Sequence, residues 1–293
     1  MYVCSLILLP VRQFRLTILD DLLHTAMLSF PNAKINLGLN ITEKRADGYH
    51  NLETVFFPIN IHDSVEIIDG TSTSCKIHGI EIPGDSNDNL CIRAYNLLKK
   101  DFNLPPQEIH LLKNIPVGAG LGGGSADCAF LIKLLNSKFE LGLSNVQMED
   151  YARKLGADCA FFIQNKPVYA YNKGDEFEDY AVDLSIYYKV LVKPAIHVST
   201  ADAYAHVKPQ KPLQSLKEIL HLPATTWKNK VINDFENSVF VKYPEIHQIK
   251  TSLYDAGAVF SLMSGSGSSV FALFDHAVKL PELEKDNLVY YNI

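Results

Sequence analysis

Residues 116–127 read PVGAGLGGGSAD, with glycine at five of the seven positions from 118 to 124, and the run opens through Ser125 into the apolar stretch CAFLIKLL. Such a loop is an anion cradle. Residues without Cβ atoms turn through positive φ, so successive backbone N–H groups can converge on one point. The unpaired donors of the helix that follows add partial positive charge there. Phosphate is the anion such a cradle takes. A Walker A loop is excluded, because no glycine in the chain precedes Lys and then Ser or Thr. The dinucleotide pattern G-x-G-x-x-G is met by Gly118, Gly120 and Gly123, with Glu140 downstream. Its acidic residue should end a second strand, whereas KFELGLSN around Glu140 has the composition of a loop.

The elements that must hold this loop follow from periodicity. In SFPNAKINLGLN (29–40), Ile35, Leu37 and Leu39 alternate with Lys34, Asn36 and Gly38, which predicts a strand with one polar face. Asp47-Gly48 marks a turn, and 51–69 supplies two further strand-like runs. Asp88-Asn89 can cap a helix over 90–100, EIHLLKN predicts a strand, and the glycine loop launches the next helix. A short amphipathic helix over 147–155 should end at Gly156, with Asp158 just beyond. Further on, a helix around 244–256 leads through Gly257 to a hairpin, AVFSLM and VFALF, joined at SGSGS.

Composition narrows the partners. The 293 residues carry 27 basic and 33 acidic groups with no dense Lys/Arg stripe, which argues against nucleic acid. The apolar run Leu6–Leu9, cut by Pro10, is too short to span a membrane. Five widely spaced cysteines (Cys4, Cys75, Cys91, Cys128, Cys159) without a C-x-x-C pair read as reduced cytoplasmic thiols. The ten histidines form no H-x-x-x-H pair, so no dedicated metal site is expected. Residues 1–26 are expected to be a dispensable extension or a misassigned start, because Met27 stands just before the first recognisable strand.

The order PNAKINL (31–37), RADGYH (45–50), PVGAGLGGGS (116–125), LGAD (155–158) and SGSGSS (264–269) resembles the GHMP kinase superfamily over residues 27–293. Within it, the resemblance is to the branch acting on a cytidylated methylerythritol. The resemblance implies an α+β fold of two domains, 27–183 and 184–293, with the site in the cleft between them. It implies an N-terminal α/β domain with a left-handed βαβ unit, an exception to the usual hand, and a C-terminal α/β sandwich. The implied activity is ATP-dependent phosphorylation of a 2-hydroxyl in the non-mevalonate isoprenoid pathway, with Mg²⁺ bridging the ATP phosphates and no protein partner.

By family position Asp158 takes the hydroxyl proton, and Lys34 keeps that carboxylate ionised and neutralises the moving phosphoryl group. Taken alone, Asp158 reads as a turn residue and Lys34 as a solvated strand charge. The resemblance places the ATP phosphates along Pro116, Val117, Gly118, Ala119, Gly120, Leu121, Gly122, Gly123, Gly124, Ser125 and Ala126, and adenine near Asn89 and Lys113. Ser125 fits a phosphate or metal contact and equally a helix N-cap. Asn36, Tyr49, His50 and Tyr204 are the implied substrate contacts, the aromatic faces stacking on cytosine. Ala126 and Cys128 replace a serine and an alanine common in the family. Other readings are a GHMP kinase for mevalonate, homoserine or a sugar, a nicotinamide-dependent oxidoreductase, and a non-catalytic nucleotide binder.

Overall fold

The Asp47-Gly48 turn closes a long antiparallel hairpin: Arg45 N donates to Tyr49 O at 2.8 Å, and Gly48 holds φ +87°. A computed structural model describes residues 26–82 and 88–293. The expected extension therefore lies outside the described residues, apart from Ala26. In order, the chain forms β1 (Ala26–Ser29), β2 (Asn32–Lys44), β3 (His50–His62), β4 (Ser64–Asp69), β5 (Ser74–Gly79), α1 (Leu90–Phe102) and β6 (Gln107–Lys113). Next come α2 (Gly123–Lys138), α3 (Asn145–Arg153), α4 (Phe161–Gln164), β7 (Val168–Tyr171), β8 (Glu176–Asp179) and β9 (Tyr188–Pro194). The last elements are α5 (Thr200–Tyr204), α6 (Leu216–Leu220), α7 (Glu236–Lys242), α8 (Pro244–Asp255), β10 (Phe260–Met263), β11 (Val270–Phe274), α9 (Pro281–Glu284) and β12 (Asn287–Tyr291).

Among the described residues the strands build three four-stranded sheets, in orders β1-β4-β6-β5, β2-β3-β7-β8 and β10-β11-β9-β12. β5 and β6 are parallel and joined through α1, while the other strand pairs of these sheets are antiparallel. One mixed and two antiparallel sheets, with helices packed against them, make this an α+β fold. On the first sheet, Val65, Ile67, Ile109 and Leu111 meet Tyr95 and Leu98 of α1 and Leu131 and Leu135 of α2. Ile35, Leu37 and Val55 pack with Leu191, Leu262 and Phe271 in a second core. Both this core and a third one draw residues from either side of the expected 183/184 boundary.

The strand over β2 is longer than the alternation suggests, and its faces change midway. The pairing register jumps between Leu37, opposite Val55, and Leu39, opposite Thr54. Inserting Gly38 as a bulge reverses the side-chain alternation. Leu39 therefore leaves the core of Ile35 and Leu37, contrary to the simple pattern, and joins Ile41, Val190 and Phe235 in the third core. The helix expected over 147–155 starts earlier, because Ser144 and Gln147 form a capping box, and it ends at Arg153. The four described cysteines are free thiols, with Cys91, Cys128 and Cys159 buried.

Candidate active site

β2 brings Lys34 and Asn36 into the fold on its polar face, where both are buried rather than solvated. Lys34 Nζ donates to Asn36 Oδ1 at 2.6 Å and to Gly120 O at 3.1 Å, and stands 3.6 Å from Asp158 Oδ2. Three acceptors thus surround a group with three donors. Burial lowers the Lys34 pKa below the usual lysine value, with Asp158 opposing the shift. Asn36 is itself oriented, its Nδ2 donating to Thr54 Oγ1 at 2.9 Å. Asp158 sits in the turn after α3 with 36% of its side chain exposed, so its carboxylate meets Lys34 and remains reachable.

The glycine loop runs from the end of β6 to α2. Gly120 has φ +76°, and a Cβ there would lie 2.0 Å from Ser264 O, so no side chain fits. Its carbonyl accepts from Lys34 Nζ and from Ser264 Oγ at 3.0 Å, which docks the SGSGSS loop onto the glycine loop. Asn233 fixes the SGSGSS loop in turn, its Nδ2 donating to Met263 O and Gly265 O, each at 2.8 Å. Gly122, in the left-handed conformation, is the N-cap of α2 and supplies no side-chain cap. Ser125 is therefore not the cap; it lies in the first helical turn. A glycine-capped first turn keeps orphan N–H donors, the arrangement that favours an anion.

Two cavities meet at this loop. One, of about 440 Å³, is lined by residues 116–125 with Asn89, Lys113, Asp127 and the apolar Ile77, Ile82 and Leu90. The other, of about 200 Å³, is lined by Lys34, Asn36, Asp158, Thr200, Tyr204 and Lys173 among others. Gly120 and Gly122 line both. The loop is a shared wall.

Several of the expected residues also carry structural contacts. Asn89 lines the larger cavity while capping α1, its Oδ1 accepting from Cys91 N at 2.8 Å. Lys113 also lines that cavity, but its ammonium bonds Asp63 and, at 2.8 Å, Asp127 Oδ2. Ala126 is buried in the first turns of α2, outside the residues lining either cavity. His50 and Tyr204 come together, stacked with ring centroids 4.8 Å apart, and Tyr204 meets Phe235 edge-on. Tyr49 is 64% exposed on the hairpin turn, with Lys173 Nζ 5.6 Å from its ring centroid. Thr54, Asp63, Asp127, Lys173 and Asn233 join the site without having stood out in the sequence. Asp127, an acid beside a strongly apolar helical run, was the visible signal among them; burial pushes it up to about 8, aided by Asp63 and opposed by Lys113.

The dinucleotide alternative loses its geometry. The parallel pair β5 and β6 precedes the glycine loop, and Glu140 is exposed at φ +47° just after α2. Among the described residues no group of three or more His, Cys, Asp or Glu is placed to hold a metal ion, and no helix is long and apolar enough to cross a membrane.

Comparison with known proteins gives concordant matches. The GHMP kinases N terminal domain family matches residues 89–166, and the GHMP kinases C terminal family matches 209–285. The chain is 54% identical over 262 residues to the 4-diphosphocytidyl-2-C-methyl-D-erythritol kinase of Bacteroides fragilis, covering 88% of this chain and 96% of that protein. It is 52% identical over 262 residues to the enzyme of that name from Bacteroides thetaiotaomicron, with the same coverage of each. A crystal structure of 4-(cytidine 5'-diphospho)-2C-methyl-D-erythritol kinase superposes with a TM-score of 0.74 at 28% identity, over 90% of this chain and 98% of that one.

Proposed function

The chain belongs to the 4-diphosphocytidyl-2-C-methyl-D-erythritol kinase family of the GHMP kinases, and from that premise we propose that it transfers the γ-phosphoryl group of ATP to the 2-hydroxyl of 4-diphosphocytidyl-2-C-methyl-D-erythritol. The observation that carries the proposal is the glycine wall shared by two cavities, with Lys34 and Asp158 lining the smaller one beside it. Phosphoryl transfer needs donor and acceptor held on either side of the moving group.

In this mechanism the backbone N–H groups from Gly118 to Ser125 bind the ATP phosphates, and the apolar wall of Ile77, Ile82 and Leu90 takes the base. Asp158 accepts the hydroxyl proton. Lys34, held by Asn36 and Gly120, balances the charge that develops beside it. Mg²⁺ would neutralise phosphate charge when bound; a hard cation held mainly by phosphate oxygens needs few protein ligands, and the Ser125 hydroxyl is a fitting one. Asn36, Tyr49, His50 and Tyr204 bind the cytidylated alcohol. The product enters isoprenoid biosynthesis by the non-mevalonate route. Free thiols among the described residues fit a reducing, cytoplasmic setting.

The test is ADP release with a panel of alcohols: the cytidylated methylerythritol, mevalonate, homoserine and a hexose. Turnover with the first should exceed the others by orders of magnitude. Preference for any of the other three would replace this proposal with another small-molecule kinase.

A further inference from the structure

Beneath the glycine loop lies an ionic cluster that the reaction itself does not use. Asp63, at the junction of β3 and β4, is buried, as are Lys113 at the end of β6 and Asp127 in α2. Asp63 Oδ1 accepts from the backbone N–H of Asn114 at 2.6 Å and of Ile115 at 2.8 Å, the two residues that begin the loop. Its Oδ2 takes Lys113 Nζ, which also donates to Asp127 Oδ2 at 2.8 Å, on the helix that ends the loop. Asp63 is anchored on its other side, its N–H donating to Pro31 O at 2.8 Å. A Cβ on Gly123 would come within 3.2 Å of Lys113 Nζ, so the ammonium underlies the loop's last turn.

We propose that Asp63, Lys113 and Asp127 form a clamp that fixes both ends of the nucleotide loop and thereby positions it for ATP. The inference rests on the kinase reading above. Buried ions are poor sources of stability, since desolvation offsets most of their attraction and apolar replacements are often as stable. What they supply is fixed directions. One carboxylate aligns two consecutive N–H groups at the loop's start, and one ammonium ties that carboxylate to the loop's end. A cradle held in shape before ATP arrives avoids the ordering cost of forming it on binding. Lys113 is then a positioning residue for ATP rather than a contact to adenine.

The test separates nucleotide affinity from chemistry. Asp127→Ala and Asp63→Ala should each raise KM for ATP at least about tenfold, the scale of one charge-assisted hydrogen bond, while kcat and KM for the cytidylated alcohol stay within about twofold. Asp127→Asn, which keeps an oxygen for Lys113, should restore KM for ATP to within about threefold of wild type. Alanine variants that fold yet leave KM for ATP unchanged overturn the clamp, and so do equal losses for both substrates. Should the alanine variants fail to fold, hydrogen exchange on wild type decides. Without nucleotide, the Asn114 and Ile115 amides should exchange as slowly as that of Ile109 in β6; exchange at loop rates that slows only with ATP overturns the clamp. Wild type that binds no ATP by calorimetry would overturn the kinase reading beneath it, a result distinct from unchanged variants.

Discussion

Lys34 Nζ lies 3.6 Å from Asp158 Oδ2 while its hydrogen bonds go to Asn36 and to the Gly120 carbonyl. The 3.6 Å contact leaves that oxygen free to accept a hydroxyl proton. Lys34 N also donates to Leu121 O at 3.0 Å, so the residue is tied to the glycine loop by backbone and side chain. One lysine thus sets the distance between Asp158, the proposed proton acceptor, and the glycine loop.

Asp158→Asn should lower kcat by about 10²–10⁴-fold, the usual contribution of a positioned base, with KM for both substrates little changed. Lys34→Met, which keeps most of the side-chain volume, should cost about 10²–10³-fold. Single-turnover rates and thermal melts on both variants check this. A folded variant with near-normal kcat would remove that residue from the mechanism.

Lys34 also predicts a pH signature. Burial lowers its pKa below the usual 10.5, so the proposed catalytic cation is lost, and kcat should fall, at a pH below the ordinary lysine range. The sign for stability is opposite. Between the lowered folded pKa and the unfolded value the unfolded chain binds more protons at this site, so its contribution to stability rises with pH. Falling kcat with an undiminished melting temperature identifies Lys34 deprotonation; a parallel fall of both points to alkaline unfolding instead. In Lys34→Arg, which stays charged, the alkaline limb should move out of range.

These residues were unequally legible in the sequence. The alternation around Lys34 and Asn36 gave the strand and its polar face, and Asp47-Gly48 gave the turn, because both are local signals. The burial of that polar face was not legible, since Gly120 is 86 residues away and folds over it only through the loop. An isolated glycine in a strand signals a bulge, yet periodicity alone kept Leu39 on the wrong face. Ser125 fitted a cap by type, whereas Gly122 caps by conformation. Asp63 meets Lys113 from 50 residues upstream, and Lys113 bridges it to Asp127, a pairing no local pattern contains.

Gly120→Ala should be the most damaging single substitution in the loop. Its Cβ would meet Ser264 O at 2.0 Å, backbone that cannot swing away, and its φ is left-handed. Loop strain of about 1–3 kcal/mol plus the clash should lower the melting temperature and raise KM for ATP together. Gly142→Ala, left-handed as well but with open space around its Cβ, should cost less and leave KM for ATP unchanged. Equal effects from both would mean the Ser264 contact does not matter.

The proposed cytosine contacts would separate this kinase from relatives that share the glycine loop. Tyr49 is 64% exposed and packs only loosely, so Tyr49→Ala should leave stability within about 0.5 kcal/mol of wild type. Stacking on a base is worth about 1–3 kcal/mol, so KM for the cytidylated alcohol should rise roughly 5- to 150-fold. KM for ATP should stay constant, because Tyr49 lies outside the residues lining the larger cavity, where ATP is proposed to bind. Tyr204→Ala should behave differently. Tyr204 already stacks on His50 and meets Phe235, so its loss should lower the melting temperature as well as weaken the cytidylated substrate. Saturation curves for both substrates on the two variants decide the matter: a Tyr49→Ala enzyme with unchanged KM for the cytidylated alcohol would place the cytosine elsewhere, and equal losses for both substrates would point to a general defect of the cleft.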